Sequence, residues 1–386
     1  MKKQLLFIIS TLDSGGVSKS ISTLLNVIDT NRFDVDVLVL NPTGVFMNLL
    51  PNTISIKSDL KTQLFFSKFP NNVLLLIKNK FFKAAVLRLF AAVVMQFNKG
   101  VGALFLAKGI VKLTKTYDLA VDYNGQHQLY YLVDYVKATK KVSFFHSDYA
   151  QWNYYFATDK RYYPKVDQIY TISPICVASL KHYFPHQAAR IELFENISSI
   201  AFLTQLASYP IKKLHQNSLL TIGHLTERKG TLLALQAALL LHQQGIDFVW
   251  YFIGADSNDH DYRAMVNKYN LNEKIIFLGV LANPYPYLKN AKMVVHLSYF
   301  EGKSIALDEA KIFLKPTVVT NFSTVNDQFT HNYNALITDF QPAAVAENIV
   351  NLLFNKIQQD FFIANLKNDL TSNECEIEKL YQLLES

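Results

Sequence analysis

The chain has 386 residues, of which 50% are hydrophobic and 18% are charged, and its formal net charge is +7. A chain of this length exceeds the size at which a single hydrophobic core usually divides, so two domains are expected. Its two cysteines, Cys176 and Cys375, indicate neither a disulfide framework nor a metal cluster, and they favour a reducing compartment such as the cytoplasm.

The first residues, MKKQLLFIIS, superficially resemble a signal peptide. Their apolar stretch is too short for one, and no small-residue cleavage site follows it. We therefore interpret this segment as a first buried strand. No later run approaches the roughly 18 consecutive apolar residues that a membrane-spanning helix needs.

Short apolar runs rich in β-branched residues alternate with helical patterns along the chain. Continuous apolar runs of this length are typical of parallel strands that are covered on both faces. The runs lie at 4–10, 35–40, 118–123, 141–146, 168–173, 218–223, 248–254, 274–279, 293–298 and 316–320. The pattern predicts an α/β fold with two facing Rossmann-like, doubly wound domains and a cleft between them. We place these domains at residues 1–200 and 201–372, followed by a tail at 373–386 that we expect to pack back on the first domain.

The basic excess is concentrated in one segment, residues 61–116, which contains ten basic residues and no acidic residue. The same segment is rich in Phe, Leu and Val, and basic residues interleaved with large apolar ones indicate a helix that lies on an anionic membrane surface. Two alternatives stay open: an ordinary amphipathic region with its lysines in solvent, and a nucleic-acid patch, which no RNA- or DNA-binding motif accompanies. The membrane interpretation predicts that removing four charges releases the protein from anionic vesicles, those of Lys78, Lys80, Lys83 and Arg88.

Two places in the sequence combine glycine or basic residues with the start of a predicted helix. Gly15 and Gly16 would let the backbone approach a ligand at a helix N-terminus, although a tight turn explains them equally well. Arg228 and Lys229 precede another predicted helix, where cations gain nothing from the helix dipole. They therefore indicate an anion such as a diphosphate between them, and solvent-exposed basic residues are the alternative.

The stretch FEGKSIALDEA carries two glutamates eight residues apart and follows a predicted strand. Glu301 should lie in the loop, and a helix should begin near Ser304. Free amides at Lys303, Ser304 and Ile305 could then meet a phosphate. Glu309 would sit early in the helix, where an ionised carboxylate, which only accepts hydrogen bonds, suits the paired hydroxyls of a ribose. The alternative is a helix start whose acidic residues satisfy the dipole.

Taken in order, GGVSKS, FFHSD, TISP, TIGHLTERKG, FIG, FLG and EGKSIALDEA resemble the motifs of a retaining glycosyltransferase of the GT-B fold. The resemblance points to the large bacterial family called glycosyltransferase family 4, or glycosyl transferases group 1. It covers nearly the whole chain, and it is strongest from 221 to about 334 and weak between 50 and 115.

The resemblance implies transfer of a hexose from a nucleoside diphosphate sugar, UDP-linked, to a hydroxyl acceptor with retention. It implies no metal and no cofactor besides this donor. Together with the basic apolar segment it implies a glycan acceptor carried on a polyprenyl diphosphate or a glycolipid, used in bacterial polysaccharide or cell-wall assembly. The protein would then be cytoplasmic and peripheral at the inner face of the cell membrane, with no nucleic-acid partner.

The resemblance also implies roles for individual residues. Glu309 would bind the ribose, Glu301 would lie near the transferred sugar, and Lys229 would neutralise the diphosphate. His146 would face the reacting sugar, although a histidine that caps a strand end is the alternative, and Gly16 would let the backbone close on the diphosphate. The other donor contacts would come from Gly15, His224, Arg228, Gly254, Lys303, Ser304 and Ile305.

Two departures from the family pattern affect the diphosphate site. His224 stands where family members commonly have arginine, so the second diphosphate contact would come from Arg228 or be weaker. The usual Phe-Gly-hydrophobe-Pro between the glutamates is replaced by Lys-Ser-Ile-Ala. Two other functions stay open at this point: an enzyme like UDP-N-acetylglucosamine 2-epimerase, and a non-catalytic partner subunit of a glycosyltransferase.

Overall fold

The computed structural model describes residues 2–13, 15–257 and 259–385, which form thirteen strands and sixteen α-helices. The strands are β1 (Lys3–Ile9), β2 (Phe33–Val39), β3 (Ser55–Lys57), β4 (Thr116–Asp122), β5 (Lys137–Phe145), β6 (Gln168–Thr171), β7 (Ile191–Leu193), β8 (Ser218–Ile222), β9 (Val249–Ile253), β10 (Ile275–Gly279), β11 (Met293–His296), β12 (Thr317–Thr320) and β13 (Leu336–Thr338). The helices are α1 (Gly16–Val27), α2 (Leu60–Phe66), α3 (Asn71–Lys78), α4 (Phe82–Phe97), α5 (Lys99–Lys108), α6 (His127–Tyr135), α7 (Phe156–Tyr162), α8 (Pro174–Tyr183), α9 (Ile200–Leu206), α10 (Thr231–Gln243), α11 (Tyr262–Lys268), α12 (Tyr285–Asn290), α13 (Ile305–Ile312), α14 (Pro342–Phe354), α15 (Lys356–Asp369) and α16 (Glu378–Glu385).

The chain divides into two compact units, each with its own sheet. The first unit comprises Met1–Asp13, Val17–Ile197 and Glu374–Ser386, and the second comprises Ser14–Gly16 and Ser198–Asn373. The main division therefore falls close to residue 200, and the C-terminal tail is part of the first unit.

The first unit contains a seven-stranded parallel sheet in the order β3-β2-β1-β4-β5-β6-β7. Strand β1 is central, and Leu5 pairs with Val35 of β2 on one side and Leu119 of β4 on the other. Alternate residues of β1 enter different cores: Leu5 and Phe7 pack into one cluster, and Leu6 into another. This explains the continuous apolar run of β1, because both faces of the strand are buried.

The second unit contains a six-stranded parallel sheet in the order β10-β9-β8-β11-β12-β13. One face carries the larger core, which includes Trp250 of β9 and residues of α10 and α14. Strand β12 again serves both faces, since Val318 joins this core and Val319 joins a second cluster.

Each sheet reverses its strand order at one point. The reversal lies between β1 and β4 in the first unit and between β8 and β11 in the second. In doubly wound sheets, ligands bind beyond the carboxyl ends of the strands at such a switch point. The loops that follow β8 and β11 are therefore where a site of the second unit is expected.

The ten strands predicted from the sequence all form, with ends that differ by a few residues. Three strands were not predicted, β3, β7 and β13. Each has three residues, and each lies at an outer edge of its sheet. Such short strands carry too few residues to show a periodic apolar pattern.

The basic apolar segment folds into α2, α3, α4 and α5, which share a small core that includes Phe65, Val73 and Leu76. Arg88 differs from the exposed lysines with which the sequence analysis groups it. Its side chain is half-buried, its Nε donates a hydrogen bond to the carbonyl oxygen of Phe65 at 3.2 Å, and its guanidinium lies over the Phe69 ring. Within the described residues, no helix combines the length and the apolar character that crossing a membrane requires.

The C-terminal tail packs within the first unit through α16. The Tyr381 ring stacks on Phe33 with centroids 4.7 Å apart, and the Tyr381 hydroxyl accepts a hydrogen bond from the amide of Asp29 at 2.9 Å. These contacts account for the grouping of the tail with the strands of the first sheet.

Candidate functional site

The loops after β8 and β11 touch through their backbones, and a glycine makes this possible. Gly230 caps α10 in the left-handed region with a φ of 74°, and a Cβ at this position would lie 2.0 Å from the carbonyl oxygen of Leu297. The amide of Tyr299 donates to the carbonyl oxygen of Arg228 at 2.9 Å. Gly254 has a similar role, since a Cβ there would lie 1.9 Å from the carbonyl oxygen of Gly223. Gly230 thus holds the two loops of the switch point in close contact, and Gly254, which follows β9, holds the loop after β9 against the loop after β8.

A buried carboxylate, that of Glu301, lies at the centre of the site. Lys229 Nζ lies 2.6 Å from Glu301 Oε1, and His296 Nε2 lies 3.0 Å from the same oxygen. The Glu301 and His296 side chains are only 10% and 6% exposed, and the Lys229 side chain is 23% exposed. We call these three residues the Glu301 cluster.

The electrostatics of the Glu301 cluster keep its carboxylate ionised. Burial by itself raises the pKa of Glu301, but the hydrogen bond from His296 and the charge of Lys229 outweigh this effect and lower the pKa to about 2. An oxygen that accepts from two donors and has so low a pKa is a weak base and a weak nucleophile. The cluster is suited to holding charge and accepting hydrogen bonds from hydroxyls.

Glu309 lies in a different set of contacts. It is in the second turn of α13 and only 2% exposed, and the Tyr285 hydroxyl of α12 donates to its Oε1 at 2.9 Å. Tyr285 is also buried, and burial together with the charge of Glu309 raises the pKa of its hydroxyl, so that the hydroxyl stays protonated as a donor. The structure therefore gives the two glutamates separate partners.

The start of α13 differs from the prediction at one amide. Helix α13 begins at Ile305 with Ser304 as its N-cap, but the Ser304 amide is not free, because it donates to Gln328 Oε1 at 3.0 Å. Gln328 Nε2 in turn donates to the Ser304 carbonyl oxygen and to Asp308 Oδ1, both at 2.8 Å. Lys303 lies 3.8 Å from Asp308. Gln328 thus takes one of the three amides that we expected to meet a phosphate, that of Ser304.

Three basic residues lie in the loop after β8, and they differ in whether a neighbouring group neutralises their charge. Lys229 is paired with Glu301, so that this pair carries no net charge. Arg228 is exposed and forms no ion pair with the residues that the structure describes. Partial burial and the charges of Lys229 and Arg228 lower the pKa of His224, so that its imidazole is neutral at neutral pH. Arg228 is therefore the cation of this group whose charge is uncompensated.

His146 of the first unit lies just after β5 against the rings of Tyr123 and Phe144, at centroid distances of 4.6 and 5.8 Å. Burial lowers the pKa of its imidazole to about 3, and a hydrogen bond with Asn196 only partly offsets this, so the ring is neutral. Its Nε2 is buried and has no hydrogen-bond partner among the described residues. Asn196 also accepts from Ser20 at 2.7 Å.

The two N-terminal glycines also have defined conformations. Gly15 adopts a φ of 121°, and Gly16 is the first residue of α1.

Three residues that contact the candidate site of the second unit were not predicted from the sequence: His296, Tyr285 and Gln328. His296 lies inside an apolar strand run, and the other two lie outside the stretches that carry the recognisable motifs. These residues matter because the fold brings them into contact with the glutamates or with the turn between them. The local sequence does not show such contacts. Within the part of the chain that the structure describes, no group of three or more His, Cys, Asp or Glu side chains is placed to hold a metal ion.

Comparison with known proteins places this site within a family. Residues 209–369, which include the Glu301 cluster and Glu309, match the family model described as "Glycosyl transferases group 1". The second unit carries a glycosyl transferases group 1 domain. The resemblance to glycosyl transferases group 1 is confirmed for this part of the chain.

Two curated relatives match part of the chain. An uncharacterized glycosyltransferase of Methanocaldococcus jannaschii, MJ1059, is 24% identical over 151 residues, which are 38% of this chain and 37% of the relative. A Campylobacter jejuni protein named N-acetylgalactosamine-N,N'-diacetylbacillosaminyl-diphospho-undecaprenol 4-alpha-N-acetylgalactosaminyltransferase is 28% identical over 148 residues, which are 38% of this chain and 40% of the relative. The chain therefore spans well under half the length of the curated relatives it matches.

Solved structures resemble the whole chain. HepE of Anabaena, crystallised with UDP and glucose, has a TM-score of 0.68 at 14% identity, with all of both chains covered. A mutant of S. aureus TarM, crystallised with UDP and other ligands, has a TM-score of 0.68 at 13% identity, also with all of both chains covered. WaaG, a glycosyltransferase involved in lipopolysaccharide biosynthesis, has a TM-score of 0.66 at 14% identity and covers 98% of this chain and 99% of its own. These likenesses confirm the GT-B fold.

Proposed function

We propose that this chain is a glycosyltransferase that moves a hexose from a UDP-linked sugar to a hydroxyl acceptor, with retention at the anomeric carbon. The observation that carries the proposal is the Glu301 cluster inside the glycosyl transferases group 1 domain, where a lysine, a histidine and a buried carboxylate meet at the switch point of a doubly wound sheet.

The charges of the site suit a diphosphate leaving group. A diphosphate brings negative charge that grows as the bond to the sugar breaks, and cations held in place stabilise that charge. Because Lys229 already neutralises Glu301, the uncompensated charge comes from Arg228. Family members commonly have an arginine at the position of His224. Arg228 would thus supply the second diphosphate contact in place of that arginine.

The state of Glu301 bears on stereochemistry. A carboxylate with a pKa of about 2 whose Oε1 already accepts from Lys229 and His296 attacks an anomeric carbon poorly. We assign Glu301 the role of accepting hydrogen bonds from the hydroxyls of the transferred sugar, and Glu309 the role of binding the ribose. Retention would then arise from attack on the same face without a strong protein nucleophile, with the neutral imidazole of His146 facing the sugar.

Similar proteins support a particular donor and acceptor. HepE and TarM were crystallised with UDP, and the C. jejuni relative is named for a diphospho-undecaprenol acceptor. We propose UDP as the nucleotide and a lipid-linked or cell-surface glycan as the acceptor. An anionic membrane surface would carry that acceptor, and the protein would lie at the inner face of the cell membrane.

The proposal is tested by thermal shift with UDP, GDP, ADP and TDP and with a panel of UDP-sugars. A ligand that binds only the folded state raises the melting temperature, and a site filled well above its Kd gives a shift of several degrees. We expect UDP compounds to stabilise the wild type and to stabilise Glu301→Gln and Glu309→Gln less. Glu273→Gln, an exposed glutamate of the same unit, is the matched control and should respond like the wild type.

Failure of every nucleotide to shift the melting temperature of a folded sample would refute the donor site. Conversion of UDP-N-acetylglucosamine into an epimer in the absence of any acceptor would favour an epimerase and contradict transfer.

A further inference from the structure

Helix α4 has its large apolar residues on the outside. Its buried positions are Ala84, Ala85 and Ala91. The exposed large apolar residues, from 46% to 86% accessible, are Phe82, Val86, Leu89, Phe90, Val93 and Phe97. Their spacing of three and four residues puts them on one face of the helix. We call these six residues the α4 stripe.

Helix α3, which packs against α4, also exposes large apolar residues, Leu74, Leu75 and Ile77, by 69%, 40% and 44%. Isolated exposed apolar residues are ordinary on a protein surface, but a contiguous set marks an interaction site. Helix α4 packs against the small core through its alanines and through Leu87 and Met95, which leaves the phenylalanines and valines of the stripe to another surface.

The charges around the stripe identify its partner. Lys68, Lys78, Lys80 and Lys83 are exposed and form no ion pair with any described residue, and no acidic residue occurs between 61 and 116. A second copy of the chain would bring the same uncompensated cations together and repel the first. A nucleic acid offers no apolar partner for six large side chains. An anionic lipid bilayer satisfies both features at once.

We propose that the α4 stripe inserts into the interface of an anionic bilayer, with α4 lying in the membrane plane and Lys78, Lys80 and Lys83 contacting lipid headgroups. The 16 residues of α4 give a contact about 24 Å long. Arg88 is not part of this surface, because its guanidinium is held by the Phe65 carbonyl oxygen and the Phe69 ring. The inference rests on the proposed function only in one respect, that the membrane would carry a lipid-linked acceptor.

Vesicle flotation with the full chain, in the absence of any donor, tests this surface. Vesicles of phosphatidylcholine alone are compared with vesicles that also contain phosphatidylglycerol, at low and high salt. We expect binding only to the anionic vesicles, weakened by salt. Because each lysine near such a surface contributes about fivefold to binding, K78Q/K80Q/K83Q should bind roughly a hundredfold more weakly. The apolar variant F82S/V86S/F97S should also lose binding, because insertion needs both features.

Two control variants match these changes elsewhere on the surface. K181Q/K268Q/K289Q removes the same charge from exposed lysines outside the segment, and F354S/I357S/F361S removes exposed apolar residues at α14 and α15. Both controls should bind vesicles like the wild type. Thermal shift with UDP on all four variants measures the donor site separately, so that loss of vesicle binding with retained UDP response concerns the membrane surface alone.

Three results would overturn the inference. They are absence of binding to anionic vesicles, equal binding by K78Q/K80Q/K83Q and the wild type, and a change from dimer to monomer when F82S/V86S/F97S is examined by sedimentation. The last result would show that the α4 stripe joins two copies of the chain.

Discussion

Replacing Lys229 by methionine should destabilise the second unit through Glu301. The pKa of Glu301 falls from 4.5 to about 2 because His296 and Lys229 outweigh the effect of burial. At about 1.4 kcal/mol per pKa unit, the ionised carboxylate contributes about 3 kcal/mol to stability at neutral pH. Two donors share this contribution, so Lys229→Met should cost about 1–2 kcal/mol. Because the folded-state pKa is depressed, the contribution is complete above about pH 4.5 and is lost as the pH falls toward 2.

Tryptophan fluorescence during urea unfolding measures this loss of stability specifically in the second unit of the chain. The chain has two tryptophans, and Trp250 is buried in the core of the second unit. In a Trp152→Phe background the fluorescence reports on Trp250 alone. Lys229→Met, Glu301→Gln and the double variant form a cycle whose coupling energy we expect to be about 1–2 kcal/mol, with less coupling at pH 4 than at pH 7.

Lys274 provides the control for this cycle. It pairs with Asp247 in the same unit at 3.4 Å, but the Asp247 side chain is 56% exposed. A pair of this kind contributes about 0–1 kcal/mol, so Lys274→Met should change stability less than Lys229→Met. A coupling energy near zero between Lys229 and Glu301 would refute the view that the lysine holds the carboxylate in its ionised state.

Three further predictions concern single positions. His296→Leu should raise the pKa of Glu301, so that donor affinity by calorimetry is lost at a higher pH on acidification than in the wild type, whereas His296→Gln, which keeps a donor, should move this loss less. Arg228→Gln should weaken UDP-sugar binding about tenfold, the value of one charge-assisted hydrogen bond, while the exposed Arg263→Gln should not. Burial raises the pKa of Asp122 to about 7, so its contribution to stability is lost as the pH rises from about 4 through 7. Asp122→Asn should therefore raise the melting temperature by several degrees at pH 8 and less at pH 5.

Each of these predictions has a contrary outcome. Identical pH dependence of His296→Leu and the wild type would show that the histidine does not set the state of Glu301. Equal UDP-sugar affinities of Arg228→Gln and Arg263→Gln would move the second diphosphate contact elsewhere. A melting temperature of Asp122→Asn that is unchanged at pH 8 would mean that the carboxyl titrates normally in the folded protein.

The sequence predicted the interior of both sheets better than their edges. Central strands such as β1 are buried on both faces, and this burial requires the apolar runs that the sequence displays. The edge strands β3, β7 and β13 have three residues each and depend on pairing with a neighbour that the local sequence does not specify. Short-range periodicity therefore identifies a strand only where the strand is long and covered.

The site was predictable to the extent that its residues follow strands. Lys229 and Glu301 both lie in loops after strands that are neighbours in the sheet, β8 and β11, and the structure joins them at 2.6 Å. His296 lies within β11, and it was not predicted as a site residue because it is part of an apolar run. The half-buried position of Arg88 could not be read from the sequence, because a place in a basic segment gives no information on the Phe65 carbonyl oxygen that it meets.

Gln328 holds the turn between the two glutamates in place. Eight residues separate Glu301 from Glu309, and the turn between them is held by three hydrogen bonds with the Gln328 amide, two to Ser304 and one to Asp308. This clamp fixes where α13 begins and therefore which way Glu309 points from the helix, while the Glu301 backbone is held by Thr324, whose hydroxyl donates to its carbonyl oxygen at 3.0 Å. The turn that contains Gln328 and Thr324 thus sets the relative positions of the two carboxylates. In the proposed function the donor contacts Glu301 through its sugar and Glu309 through its ribose, so its binding would depend on that turn as much as on the glutamates themselves.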